Sequence, residues 1–315
     1  MTDVPQAPQV AHGLDEVVVA PSVVTIGNFD GVHRGHRALI GRAVDEASDE
    51  GIRSVAITFE PHPAAILRPG TEPPRLQTLD ARIATLIDVG VDLVLVLPFT
   101  RELAALTPAE FVQQVLVERL RARRVVVGTS FRFGAKAAGD MVTLVEEGER
   151  HGFTTEAATL LDLDGAPISS SEIRRRLGEG DVDWAARALG RPFELGGTVV
   201  PGDGRGRTIG VPTANLAVPD GIVVPGNGVY AGHAVVGRES WPAVTNVGVR
   251  PTFEGTTRSV EVHLLDADED LYGREVGFRF RHRIRGEQRF DGPDALVARI
   301  RQDIEETRRH LAAAG

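Results

Sequence analysis

Val23-Val24-Thr25-Ile26-Gly27-Asn28-Phe29-Asp30-Gly31-Val32-His33-Arg34-Gly35-His36 decides how the first half of this chain is read. Its leading residues are apolar or β-branched and predict a buried strand. Glycines let the backbone turn tightly after it, and a helical pattern follows over His36–Glu50. A strand that runs through a short loop into a helix offers unpaired N–H groups at the helix start, a ready anion site. His33 and His36 lie one helical turn apart, so both can face the same ligand. Protonated or hydrogen-bonding imidazoles placed there would stabilise negative charge growing on a phosphate. The pair also fits a plain surface pair or a fragment of a metal site. Zinc would need more ligands, and without cysteine the nearest candidate is His62 in Pro61-His62-Pro63.

A second segment answers the first: Ile168-Ser169-Ser170-Ser171-Glu172-Ile173-Arg174-Arg175-Arg176. Ser169 and Glu172 have capping-box spacing, so an ordinary helix start explains them. Hydroxyls at a helix N-terminus followed by arginines also make a polyphosphate clamp.

Composition narrows the classes. With 42% hydrophobic and 25% charged residues the chain is an ordinary globular protein, and at 315 residues about two domains are expected. No apolar run approaches the roughly 20 residues that cross a bilayer, so no membrane association is expected. Residues 1–16 carry no secretory pattern and are expected to be a loose tail. The absence of cysteine suits a reducing cytoplasm. A net charge of -9 argues against nucleic acid as a partner. The only lysine is Lys136, in Ala-Lys-Ala, so there is no Walker loop. ATP phosphates would have to be held by Arg, His, backbone amides and metal.

Along the first half strands alternate with helices. Strands are predicted at Val23–Ile26, Ser54–Phe59, Leu93–Leu97 and Val125–Val127, and helices at Ala81–Asp88 and Pro108–Arg121, the latter capped by Thr107. This is the pattern of a parallel α/β sheet. After Gly190-Arg191-Pro192 the pattern becomes short β-rich runs at Gly197–Val200, Val229–Val236, Ala243–Val247, Ser259–Leu265 and Glu275–Arg281, which predict an antiparallel barrel or sandwich. A final helix is expected to show Leu296, Ile300, Ile304 and Leu311 on one apolar face. The expected division is a domain over 17–187 and another over 188–315.

The second half opens with Gly202-Asp203-Gly204-Arg205-Gly206-Arg207-Thr208-Ile209-Gly210-Val211-Pro212-Thr213-Ala214-Asn215. Arg207 stands where a Rossmann fingerprint needs glycine, and glycines alone would read as a flexible loop. Thr213 and Asn215 alternate on an extended strand and so face one way. Their oxygens can complete the shell of a Mg²⁺ that carries ATP phosphates. Asp266, Asp268 and Asp270 begin like an EF-hand, but Leu271 and Gly277 occupy the required Gly and Glu positions, so a solvated acidic turn is expected.

Taken together, His-x-Gly-His after a first strand and Ile-Ser-Ser-Ser-x-Ile-Arg resemble the nucleotidyltransferase superfamily. More narrowly, Thr25–Ile40, Thr58–Pro63, Val125–Gly134 and Ile168–Leu177 resemble the adenylyltransferase half of the bacterial bifunctional riboflavin kinase/FAD synthetase family. Pro212-Thr213-Ala214-Asn215, Asn246–Phe253, Val260–Asp266, Leu271-Tyr272-Gly273 and Arg285–Phe290 are similar to its riboflavin kinase module. The resemblance implies a Rossmann-like α/β nucleotidyltransferase domain followed by a small six-stranded antiparallel β-barrel with a C-terminal helix. It implies riboflavin, FMN and ATP as substrates, Mg²⁺ with the ATP, and flavins as substrates and products. His33, His36, Gly27, Asn28, Phe29, Asp30 and Gly35 would serve ATP, with Ser169, Ser170 and Arg174 on the departing polyphosphate. Phe59, Pro61, Ser130 and Arg132 would meet flavin. In the barrel, Gly204, Gly206, Arg207, Thr213 and Asn215 would bind Mg-ATP. Glu261 would be the base toward the riboflavin 5′-hydroxyl, and Arg285 and Glu287 would lie in the flavin segment. Homo-oligomerisation is left open.

The family's usual residues are absent at Ser130, Ala135 and Ser171. Ser171 keeps the hydroxyl of the usual Thr. Ser130 and Ala135 keep open a kinase with a weakened adenylyltransferase half, and a non-catalytic flavin- or nucleotide-binding protein is the alternative of another class.

Overall fold

The computed structural model describes residues 9–159, 161–202, 206, 210–252, 255–267 and 269–313, with backbone alone at 250–252 and 255–257. The chain divides into two compact units. One comprises Met1–Pro73 and Thr78–Ser169, the other Pro74–Gln77 and Ser170–Gly315.

In the first unit the elements in order are β1 (Gln9–Ala11), β2 (Ser22–Ile26), α1 (Arg34–Glu50), β3 (Arg53–Glu60), α2 (Pro63–Leu67), α3 (Leu79–Asp88), β4 (Leu93–Pro98), α4 (Arg101–Ala105), α5 (Pro108–Phe111), β5 (Ala122–Gly128), α6 (Met141–His151), β6 (Thr154–Ala158) and the two-residue pair β7 (Asp162–Leu163) and β8 (Ala166–Pro167). Six strands form a sheet in the order β1-β4-β3-β2-β5-β6, parallel at every pairing. Apolar clusters sit on both faces, one around Val24, Ile57 and Leu116, the other around Val23, Ile40 and Val94. That is why β2 to β5 read as near-continuous apolar runs. The order reverses at β2, which pairs with β3 on one side and β5 on the other. A sheet of this kind binds ligands outside the carboxyl ends of its strands at such a point.

Two expectations change here. Residues 9–16 are not loose: β1 pairs in parallel with β4, Ala11 is buried, and Leu14–Glu16 forms a short 3₁₀ turn. The helix expected over Pro108–Arg121 is an α-helical turn, α5, that continues as a π-helix over Val112–Arg119. Its start follows expectation, for Thr107 and Glu110 form a reciprocal capping box with Pro108 at the first position.

The second unit holds α7 (Ser170–Glu179), α8 (Val182–Leu189), β9 (Glu194–Val200), β10 (Ala214–Ala217), β11 (Gly228–Val236), β12 (Glu239–Thr252), β13 (Gly255–Leu264), β14 (Glu275–Arg285) and α9 (Pro293–Ala313). The six strands close into an antiparallel barrel in the order β10-β13-β12-β11-β14-β9. Its interior is filled by Leu195, Tyr230, Ala243, Val247, Val262, Phe278 and Phe280. Packing groups α7 and α8 with the barrel rather than with residues 17–169. Val182, Trp184, Ala185, Ala188 and Leu189 of α8 are buried, and Asp183 meets His282 of β14 at 3.2 Å.

The last helix differs from its predicted face. Ile304 packs against Val229, Val244, Leu265 and Ile284 on the outside of the barrel. Leu296 is exposed, and the buried residues of α9 are Asp303 and Thr307. Helical periodicity located the helix but could not foresee a polar anchor.

Candidate active sites

The loop between β2 and α1 is held under strain. Phe29 and Val32 take positive φ values of 47° and 38°, which are costly for bulky or β-branched residues. Burial of both side chains fixes them there. His33 caps α1 in place of the usual Ser, Thr or Asp: its Nδ1 accepts the His36 N–H at 3.2 Å. An Nδ1 that accepts carries no proton, so the proton of neutral His33 sits on Nε2. The His33 and His36 rings stack with centroids 3.6 Å apart, and Phe29 meets His36 edge-on at 5.2 Å. Gly35 is required by this stack, because a Cβ there would lie 3.2 Å from the His33 ring. It would also lie 3.7 Å from the Ile168 carbonyl, which brings the residue before Ser169 beside the histidine loop.

Burial, and secondarily the neighbouring His33, holds His36 well below the usual imidazole range. These surroundings favour the neutral ring of His36 over the cationic one. Its Nδ1 is buried with no hydrogen-bond partner among the described residues, an unsatisfied group of the kind found at working sites.

The topology brings three sequence-predicted segments to one edge of the sheet: Gly27–His36 after β2, Phe59–His62 at the end of β3, and Gly128–Arg132 after β5. Asp30 is buried. Phe59 is half-buried and meets Phe99 edge-on, while Pro61 and Ser130 are exposed. Arg132 is exposed and pairs with Asp140 at 3.6 Å. His62 caps α2 by accepting the Ala64 N–H on Nδ1, and its Nε2 lies 3.3 Å from the Asn28 side-chain amide. Among the described residues no group of three His, Asp or Glu is arranged for a metal ion, so the zinc option for His33, His36 and His62 finds no such cluster.

Ser170 opens α7 and Ser169 precedes it. Arg175 and Arg176 are bound to carboxylates: Glu172 takes both, at 2.5 and 3.0 Å, and Glu179 and Asp181 take one each. Hydrogen bonds from Arg175 pull Glu172 down to about 2. Arg174 instead donates through Nε to the Pro74 carbonyl at 2.7 Å.

In the barrel, strand register places the predicted residues in one row. Val200, Asn215, Glu261, Asn246, Val229 and Arg285 lie opposite one another on β9, β10, β13, β12, β11 and β14. Directly paired residues share a face of a sheet. Their neighbours Thr245, Val247, Val260 and Val262 fill the interior, so the row faces outward. Thr213 stands just before β10 and lines a cavity of about 380 Å³ with Pro212, Leu264, Asp270, Leu271 and Tyr272. Gly206 packs against this point; a Cβ there would meet the Val211 carbonyl at 2.3 Å and Thr213 Oγ1 at 3.2 Å. Gly204 and Arg207 lie outside the described residues.

Arg285 is anchored by α9. It forms a forked pair with the buried Asp303 at 2.9 and 3.1 Å, and Arg299 adds a third contact at 2.9 Å. Glu287 is exposed and accepts from Asn227 at 3.1 Å. Asp266, from the expected acidic turn, pairs with Arg308 at 2.5 Å.

Sequence reasoning assigned no role to Asn246 or His263. His263 is two residues from Glu261, hence on the same face, and its Nδ1–H donates to the Pro212 carbonyl at 2.7 Å. It ties the start of the Thr213–Asn215 strand to β13. Period-two alternation from Glu261 was the signal that would have found it.

Two family models match the chain, one after the other. The FAD synthetase family model matches residues 16–172, and the riboflavin kinase model matches residues 189–311. The chain is similar to the bifunctional riboflavin kinase/FMN adenylyltransferase of Pseudomonas fluorescens, 43% identical over 90% of each chain. It is similar to those of Escherichia coli K12, 41% over 93% of each, and Bacillus subtilis, 36% over 96% of each. Among solved structures it resembles a Streptococcus pneumoniae protein described as a macrolide-efflux protein. That match has a TM-score of 0.86 and 31% identity, and covers 95% of this chain and 98% of the other. Among the described residues here no helix is long and apolar enough to cross a membrane.

Proposed function

Because the chain belongs to the bifunctional riboflavin kinase/FMN adenylyltransferase family, an enzyme that phosphorylates riboflavin to FMN and adenylates FMN to FAD, we propose that its residues divide the two steps as follows. In the barrel unit Glu261 takes the proton of the riboflavin 5′-hydroxyl as its oxygen attacks the γ-phosphorus of ATP, and ADP leaves. Thr213 and Asn215 supply neutral oxygens that fit a hard cation, and Mg²⁺ bound there with ATP would neutralise phosphate charge. His263 and Gly206 fix that strand, and Arg285, held by Asp303, and Glu287 shape the flavin side.

In the first unit an FMN phosphate oxygen attacks the α-phosphorus of a second ATP, and the bond to the bridging oxygen breaks to release pyrophosphate. No covalent enzyme intermediate is needed; positioning and charge stabilisation suffice. Gly27, Asn28, Phe29, Asp30 and Gly35 shape the nucleotide loop. His33 and His36 donate as neutral imidazoles, and Ser169 is assigned to the pyrophosphate; Ser170 and Arg174, foreseen for the same role, belong to α7 of the second unit. Phe59, Pro61, Ser130 and Arg132 border the flavin. The cysteine-free composition supports a cytoplasmic setting, and the charge of -9 supports small-molecule partners over nucleic acid.

The observation that carries the division is that the His33–His36 stack and Glu261 lie in different compact units. His36→Ala should cut FAD formation by about a hundredfold and leave FMN formation within about twofold. Glu261→Gln should do the reverse when FMN is supplied. Losses of similar size in both steps from either variant would refute it.

A further inference from the structure

Arg82 is buried on the core-facing stripe of α3, together with Thr85 and Leu86, and is only 3% exposed. A buried guanidinium is costly unless its donors are used. Here Nη1 and Nη2 converge on the last three residues of β3. Nη1 donates to Thr58 Oγ1 and to the Phe59 carbonyl, each at 3.1 Å, and Nη2 meets Glu60 Oε2 at 3.4 Å. Thr58, fully buried, donates its own hydroxyl hydrogen bond to the Asn28 carbonyl at 3.0 Å. The relay thus runs from one cation to the peptide that joins Asn28 to Phe29, where the backbone enters its strained, positive-φ conformation.

These acceptors sit at the carboxyl edge of the sheet, where β2 and β3 deliver the histidine loop and the Phe59–Pro61 segment. An apolar side chain would fill the same space without desolvating a charge. What it could not do is orient the Asn28 carbonyl and the end of β3 together.

We propose that Arg82 is a positioning residue for adenylyl transfer, acting through Thr58 on the Asn28–Phe29 peptide and directly on Phe59 and Glu60. The proposal rests on the assignment of FMN adenylylation to the His33–His36 loop. It specifies that Arg82 governs how well bound substrates are aligned, rather than how tightly they bind.

The test uses the full chain, with FMN formation from riboflavin as an internal readout. Arg82→Met should lower kcat for FAD formation from FMN by about tenfold or more, with KM for ATP changed less than about threefold. Arg82→Lys should restore part of the loss. Thr58→Val keeps Arg82 on Phe59 and Glu60 but cuts the relay, and should lower the same kcat while the barrel's kinase rate stays within about twofold. Parallel loss of both activities in Arg82→Met and Thr58→Val would mean a structural role and overturn the proposal. Wild-type FAD turnover in Arg82→Met, in a protein that loses it on His36→Ala, would overturn the proposal and leave the site assignment standing. Unchanged FAD turnover in His36→Ala would remove the assignment and this proposal together.

Discussion

At the scale of single residues, His36 shows how the fold revises chemistry read from a string. Spacing placed it beside His33, but its protonation depends on what surrounds it. Burial first, and the His33 ring second, favour the neutral form. Between the ordinary imidazole value of about 6.5 and the lowered one, the unfolded chain binds a proton that the folded chain does not. Stability therefore falls as pH drops through that window and is fully present above it. The His36 ring should stay neutral from about pH 5.5 to 8; NMR titration of its imidazole signals checks this, and a transition centred near 6.5 would mean His36 titrates normally. Asn215 was legible because alternation with Thr213 on one strand needs no long-range information, whereas Glu261 was singled out only by the family resemblance. The anchoring of Arg82 and of Arg285 was not legible, because their acceptors lie 24 and 18 residues away along the chain and only the folded topology closes those distances.

Among the elements, α9 carries the clearest departure from pattern. Its predicted apolar stripe accounts for Ile304, yet the helix is seated by Asp303, which binds Arg285 of β14 and Arg299 of its own turn. Removing one partner of a buried ion pair leaves uncompensated charge and costs about 3–5 kcal/mol. Asp303→Ala should lose roughly that much stability in denaturant unfolding followed through the barrel unit, and should weaken FMN formation by loosening Arg285. Stability within about 0.5 kcal/mol of wild type would show that the pair is not the anchor. β2 to β5 were legible as apolar runs because a parallel sheet covered on both faces needs them; the polar edge strand β6, Thr154–Ala158, was not foreseen. The three-residue β1 was not, since so short an edge strand carries no period of its own.

For the whole molecule, the proposed assignment of His33–His36 and Glu261 to separate units predicts that FMN can be handed over through solution. A mixture of His36→Ala and Glu261→Gln chains should convert riboflavin to FAD, although neither variant alone should do so at an appreciable rate. No FAD from the mixture would require both sites intact in one chain. Two domains, an α/β sheet and a barrel, could be foreseen because the hydrophobic period changes after Gly190. The grouping of α7 and α8 with the barrel could not, because it depends on what Trp184 and Asp183 pack against. The most direct test of the central claim is chromatography of purified protein incubated with riboflavin, ATP and Mg²⁺. FMN and ADP should appear first, then FAD and pyrophosphate, with two ATP consumed for each FAD. No FMN would contradict the barrel assignment, and FMN that never proceeds to FAD would contradict the assignment of the His33–His36 loop.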